Sequence, residues 1–293
     1  MASFTIDGRT VLITGAARGI GAETAVRLHG RGAIVALVGL EAERLEALAG
    51  RLGDRALWHE ADVTDAGALA DAAAVTSERF GGIDVAVANA GVHWSGAVAG
   101  TPLERLEREI EINLLGVLRT VHAVLPQIIE RRGYVLNVAS LAAASHAPLM
   151  GAYAASKAGV EALTDSLRVE LAATGARAGC AYFGVIDTDM VKDAYAHPAI
   201  QGVLPLLPAF VRRPAKLSRA VDAIEAGIER RSARVWAPRY VGPALALRGL
   251  LQPLTELHAR RSPRLAEAIA VADADGEHAR RADPVLTSLA RRG

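Results

Sequence analysis

Tyr153 and Lys157 stand four residues apart in the run Tyr-Ala-Ala-Ser-Lys. Residues at that spacing share one face of a helix. An ammonium beside a phenol stabilises the phenolate and draws its pKa down from about 10 toward the range of an acid–base catalyst. Taken alone, the spacing also suits an ordinary surface pair, so its meaning depends on its surroundings. Upstream, Thr14-Gly15-Ala16-Ala17-Arg18-Gly19-Ile20-Gly21 joins an apolar run to a helical one. Glycines allow a tight turn there and let backbone approach a pyrophosphate. The free N–H groups and dipole at the start of the helix favour phosphate. The alternative is a glycine-rich turn without a ligand. The spacing is Gly-x-x-x-Gly-x-Gly rather than Gly-x-Gly-x-x-Gly.

The elements that position these residues alternate. β-rich runs fall at 11–13, 34–38, 56–58, 83–88, 134–138, 178–183 and 234–236. Helical periodicity covers 20–29, 41–52, 68–79, 103–131, 151–174 and 215–231. This alternation predicts an α/β fold with a parallel sheet covered on both faces. Right-handed crossovers make it a Rossmann-like, doubly wound sheet of about seven strands. A dinucleotide-binding catalytic domain is expected over 1–239, with a helical extension over 240–293. The segment 188–214 is rich in proline and large apolar residues, and the end from 260 is charged and alanine-rich, a solvated helix or a partly disordered tail.

With 33 basic and 32 acidic residues, net charge is +1, which argues against a nucleic-acid binder. The single cysteine, Cys180, excludes an internal disulfide and suits a reducing compartment. The amino terminus is polar, with no signal peptide visible, and no stretch reaches the roughly 18 apolar residues of a membrane span. The expectation is a soluble cytoplasmic protein. Its histidines are scattered, so no metal site is expected.

These motifs together resemble the short-chain dehydrogenase/reductase family. Its Thr-Gly-x-x-x-Gly-x-Gly turn is matched at Thr14, Gly15, Gly19 and Gly21, and its Asn-Ala-Gly element at Asn89-Ala90-Gly91. Its tetrad is matched in order by Asn113, Ser140, Tyr153 and Lys157. The resemblance covers roughly residues 6–236. It implies that Tyr153 protonates a carbonyl oxygen and that Lys157 lowers the Tyr153 pKa and binds the nicotinamide ribose. It further implies that Ser140 holds the substrate oxygen and that Asn113 orders a relay water. Ile20 and Arg18 would lie along the cofactor with the glycine turn, as would Gly39, Val63, Asn89 and Gly91. Asp62 would contact adenine, or else simply cap a helix before Thr64-Asp65. Thr188 would contact the carboxamide, although Phe183-Gly184 replaces the family's usual Pro-Gly just before it.

Val38-Gly39-Leu40 lacks the carboxylate that would accept a 2′-hydroxyl of the adenine ribose, and Arg18 could pair with a 2′-phosphate. NADP(H) is therefore favoured, with NAD(H) as the alternative and Glu41 close by as an argument for it. The loops after the strands supply Trp94, Met150, Phe183 and an apolar run over 203–210, which suggests a small lipophilic carbonyl or alcohol substrate. The resemblance implies a homodimer or homotetramer. The stretch 240–257 could serve as a lid, a subunit contact or an attachment to a membrane surface. Its prolines favour packing on the protein itself or on a neighbouring subunit.

Overall fold

A computed structural model describes residues 4–282. The first half runs β1 (Thr10–Thr14), α1 (Gly19–Gly30), β2 (Ile34–Gly39), α2 (Ala42–Leu52), β3 (Ala56–Glu60), α3 (Ala66–Phe80) and β4 (Val85–Ala88). Then follow α4 (Leu103–Ile110), a π-helical turn over Glu111–Leu115, α5 (Gly116–Glu130), β5 (Tyr134–Val138), α6 (Gly151–Glu170) and β6 (Arg177–Phe183). Beyond them lie α7 (Asp189–Ala196), α8 (Pro198–Val203), α9 (Ala209–Arg212), α10 (Leu217–Arg230) and β7 (Arg234–Ala237). The chain continues through α11 (Val241–Ala246), α12 (Arg248–Ala259) and α13 (Pro263–Ala282).

The seven strands form one sheet in the order β3-β2-β1-β4-β5-β6-β7, with every neighbour pair parallel. Strand alternation sends residues to opposite faces, and both faces are apolar. Val11 and Ile13 join a core with Val35, Leu37, Leu28 and Ile224, on the side of α1 and α10. Leu12 joins the opposite core with Ala36, Val121, Val124 and Val160, on the side of α5 and α6. The direction of travel across the sheet reverses between β1 and β4. Ligands of such sheets bind in the crevice that this reversal opens at the carboxyl ends of the strands.

The 103–131 helix expected from the sequence is interrupted by the π turn at 111–115. By length and a mean hydropathy of 1.4, Leu103–Glu130 could cross a membrane. It is a core helix instead, because Val117, Thr120, Val121, Val124 and Ile128 are buried against the sheet.

At the amino edge of the sheet, the Asp84 carboxylate is 1% exposed. It accepts hydrogen bonds from the Thr10 N–H at 3.0 Å, Arg9 Nη1 at 2.8 Å and Arg131 Nε at 3.1 Å. The first residues past β7 remain in the core: Val241 is fully buried, and the Val185 N–H donates to the Tyr240 hydroxyl. The prolines do not break the extension where expected. Pro253 sits inside α12, and the chain turns at Leu247 instead. α13 packs back on α8, where Leu265, Ala268 and Ala272 bury against Leu149, Ala199 and Val203. On α12, Leu250, Leu254 and Leu257 are exposed, as is Leu247 just before it, while Arg248 pairs with Glu161 of α6 and Gln252 Oε1 accepts the His146 N–H. The expected tail from 283 onward lies outside the described residues.

Asp84→Ala strands two guanidinium groups and a buried N–H. It should cost about 3 kcal/mol in urea unfolding.

Candidate active site

The glycine turn lies at the crevice. Gly15 and Gly19 adopt φ of +64° and +59°, a region that side chains disfavour. A Cβ at Gly21 would stand 2.2 Å from the Gly15 carbonyl oxygen, so only glycine lets α1 begin this close to β1. The turn is held from the β4 side by Asn89. Its Nδ2 donates to the Thr14 and Gly15 carbonyls at 3.0 and 3.2 Å, while the Asn89 and Ala90 N–H groups donate to Thr14 Oγ1 at 3.1 and 3.2 Å. No side chain caps α1, and no acid sits in its first turn. Its amides and dipole face the crevice, which suits the pyrophosphate of a dinucleotide.

The π turn places Asn113 inward and fully buried. Its Oδ1 accepts the Val92 N–H at 2.8 Å, and its Nδ2 donates to the Val92 carbonyl at 2.9 Å and to Ser156 Oγ at 3.3 Å. The amide thus pins the helix to the loop after β4. A Cβ on Gly91 would stand 3.0 Å from Asn113 Oδ1 and 3.5 Å from Lys157 Nζ, so glycine lets these two approach. Lys157 Nζ donates to the Val138 carbonyl at 2.9 Å and lies 5.7 Å from the Tyr153 ring centroid. Ser140 Oγ accepts the Ala142 N–H at 3.1 Å and donates to the Phe183 carbonyl at 3.3 Å.

The electrostatics differ from the sequence expectation. Burial pushes the Tyr153 phenol up; the Ser140 hydroxyl draws it down, and the Glu109 carboxylate pushes it up again. The net direction is upward, so the protein alone favours the neutral phenol. Burial also draws Lys157 down from 10.5 to about 8, against the opposing influence of Cys180 and Glu109.

On the cofactor side, Arg18 Nε pairs with Glu41 Oε1 at 3.0 Å. Gly39 ends β2, where a Cβ would meet Leu45 at 3.7 Å and the Ala16 nitrogen at 3.8 Å. Asp62 is engaged structurally, accepting the Thr64 N–H at 2.9 Å and Arg108 Nη2 at 2.9 Å. Val63 is buried and packs against Gly116, beneath the π turn. Ile20 packs on the first core. The Thr188 methyl reaches over Gly19, 3.9 Å from where a Cβ would sit.

Phe183 requires a correction as a substrate contact. Its parity on β6 turns the ring into the core on the α1 and α10 side, where it is 5% exposed. Only its carbonyl reaches Ser140. Met150 and Trp94 are both half-buried. The loop carrying Trp94 pairs with the segment before α6 through a Gly96–Met150 bridge. Trp94 also lines a small cavity of about 50 Å³ with Ser95, Pro102, Arg105 and Ala272. The sequence reading missed Glu109, which is 2% exposed and bonds His93 and the Trp94 N–H at 3.1 Å each. In Leu-Glu-Arg-Leu-Glu-Arg-Glu-Ile it resembles the acids around it. Its only signal is its place one turn before Asn113.

The buried lysine has a pH signature. Between about pH 8 and 10.5 the unfolded chain holds a proton that folded Lys157 has released, so this group makes stability rise with pH there. Relative to the parent, Lys157→Met should lose about 2 kcal/mol between about pH 7 and pH 9.5, read by urea unfolding.

Comparison with known proteins agrees with this architecture. A family model described as short chain dehydrogenase matches residues 9–199. The 2-(R)-hydroxypropyl-CoM dehydrogenase of Xanthobacter autotrophicus is 35% identical over 209 residues, covering 68% of this chain and 84% of the relative. The rat dehydrogenase/reductase SDR family member 7B is 35% identical over 171 residues, covering 55% of this chain and 53% of that protein. A crystal structure of a short-chain dehydrogenase/reductase, glucose/ribitol dehydrogenase, from Brucella melitensis superposes with a TM-score of 0.70 at 30% identity. It covers 80% of this chain and 98% of that one. With its parallel sheet, glycine turn and Asn-Ser-Tyr-Lys constellation, the chain belongs to the short-chain dehydrogenase/reductase family.

Proposed function

We propose that the protein is an NADP(H)-dependent oxidoreductase that interconverts a lipophilic ketone and a secondary alcohol. The observation that carries this reading is the half-buried Tyr153 phenol, set near Lys157 and Ser140 beside a glycine cradle shaped for a dinucleotide. A bound nicotinamide supplies or accepts the hydride at the carbonyl carbon. In reduction, Ser140 holds the carbonyl oxygen and Tyr153 gives its proton to that oxygen as charge develops. In oxidation the proton returns to Tyr153. The raised phenol keeps its proton near neutral pH, which suits the reductive direction. Lys157, drawn down to about 8, is a stronger acid than the raised phenol, so return of a proton from it to the phenolate runs downhill. The half-buried apolar side chains of Met150 and Trp94, on two segments joined by the Gly96–Met150 bridge, support a lipophilic substrate. The relative named for dehydrogenating a 2-(R)-hydroxypropyl group fits a secondary alcohol. The exposed leucines of α12 fit a homodimer or homotetramer in which a neighbouring subunit covers them.

The cofactor preference rests on Arg18 and Glu41. A 2′-phosphate would take over the Arg18 guanidinium and sit near a carboxylate. The Arg18–Glu41 pair favours a second reading, NAD(H), in which Glu41 accepts a ribose hydroxyl.

Tyr153→Phe should lower ketone reduction by about 1,000-fold or more and leave NADPH binding, read by fluorescence titration, within about threefold of the parent. Full activity in that variant overturns the mechanism. In the same titration the parent should bind NADPH more tightly than NADH, and Glu41→Gln should tighten NADPH by about tenfold. Tighter NADH binding by the parent, lost in Glu41→Gln, would establish the second reading.

A further inference from the structure

One buried acid beside the site has no part in the mechanism above. Glu109 lies on α4 and is 2% exposed, and among the described residues no lysine or arginine pairs with it. Its Oε1 accepts the Trp94 N–H at 3.1 Å and faces His93 Nδ1 at 3.1 Å. His93 Nε2 is 3.2 Å from Ser95 Oγ. The His93 ring stands 4.8 Å from the Tyr153 ring, tilted by 59°. The imidazole thus lies between the two groups, bonded to the carboxylate and packed on the Tyr153 ring.

An ionised carboxylate only accepts, so His93 Nδ1 carries the proton toward Glu109. Nε2 then accepts the Ser95 hydroxyl. These distances are those of a serine–histidine–carboxylate triad, but the donors for an oxyanion are engaged elsewhere. The Trp94 N–H goes to Glu109 and the Gly96 N–H to the Leu149 carbonyl. The cluster is therefore not built for acyl transfer.

We propose that Glu109 and His93 are a positioning pair for the hydride-transfer site: His93 packs the Tyr153 ring in place, and the Glu109 carboxylate behind it biases Tyr153 toward its neutral, proton-donating form. This rests on the reading of Tyr153 as the acid and base. The charged groups facing His93 are Glu109 from α4 and, across the ring contact, Tyr153 with Lys157 beyond it on α6. Removing the negative charge therefore releases Tyr153 toward the phenolate, with Ser140 still favouring that form. It also takes from Lys157 one of the charges that oppose its burial. The pair keeps the proton on Tyr153 to higher pH, which makes the phenol a weaker acid and its phenolate a stronger base.

The test uses full-length protein labelled with ¹³Cζ-tyrosine and needs no substrate. The chain has 5 tyrosines, and Tyr153→Phe identifies the resonance of interest. Glu109→Gln, which keeps the shape of the acid, should bring the Tyr153 titration midpoint down by about one pH unit or more. Glu109→Met is a second charge-removing variant that should move it the same way. Glu109→Asp, which keeps the charge, should stay within about half a unit of the parent. The proposal is overturned if neither charge-removing variant moves the Tyr153 resonance, or if Glu109→Asp moves it as far as they do, the mark of a packing role only. Because the titration reads the phenol directly, its failure is separate from any failure of Tyr153→Phe to abolish turnover.

Discussion

The hydrogen bonds between Thr14 and Asn89 join the carboxyl ends of β1 and β4, the two strands between which the chain reverses its travel across the sheet. Left alone, that reversal would be a gap between two diverging loops. Asn89 closes it with four bonds shared between its own backbone, its amide and the next residue. The glycine turn is then held open on one side, and the Ala90-Gly91 segment is set on the other. Gly91 in turn admits Asn113 and Lys157. A loosened Asn89 would thus disturb the dinucleotide cradle and the catalytic side together. Parallel sheets place such sites at the switch point because no crossover covers it.

Around this junction the protein holds ionisable groups in costly states. Lys157 is buried and donates to the Val138 carbonyl, and the half-buried Tyr153 lies within the influence of the Glu109 carboxylate. Buried ionisable groups destabilise a fold unless they are paired, so they cluster where chemistry needs them. The contrast with Asp84 is instructive. It is equally buried, but it sits at the opposite edge of the sheet with two arginines and a backbone N–H satisfying it. Its task is to hold the strands, whereas the groups at the crevice are left with reactivity to tune.

Much of the fold was legible because strand runs and helical periodicity each leave a local pattern. All seven strands fall where the β-rich runs predict, and the doubly wound arrangement follows from their alternation with helices. The family motifs are equally local, since a glycine turn or a four-residue spacing on a helix is written in consecutive residues. Phe183 was misplaced because substrate-facing and core-facing residues of one strand differ only in parity, and the loop that follows hides the register. The π turn escaped because one extra residue in a helical stretch leaves the apolar pattern almost unchanged. Glu41 was legible as a neighbour of Arg18, but the fold decides that the two pair across 23 residues of chain.

The sequence by itself determined the sheet, the glycine turn and the identities of Asn113, Ser140, Tyr153 and Lys157, because these depend on propensity, spacing and order along the chain. Only the tertiary structure decided the electrostatic state of those groups. It buried Lys157 near a half-buried Tyr153, brought His93, with Glu109 behind it, from another loop and helix to the Tyr153 ring, and turned Asn113 to the loop after β4. A pKa is set by charges and dielectric within a few ångströms, and in this fold those neighbours come from segments tens of residues apart.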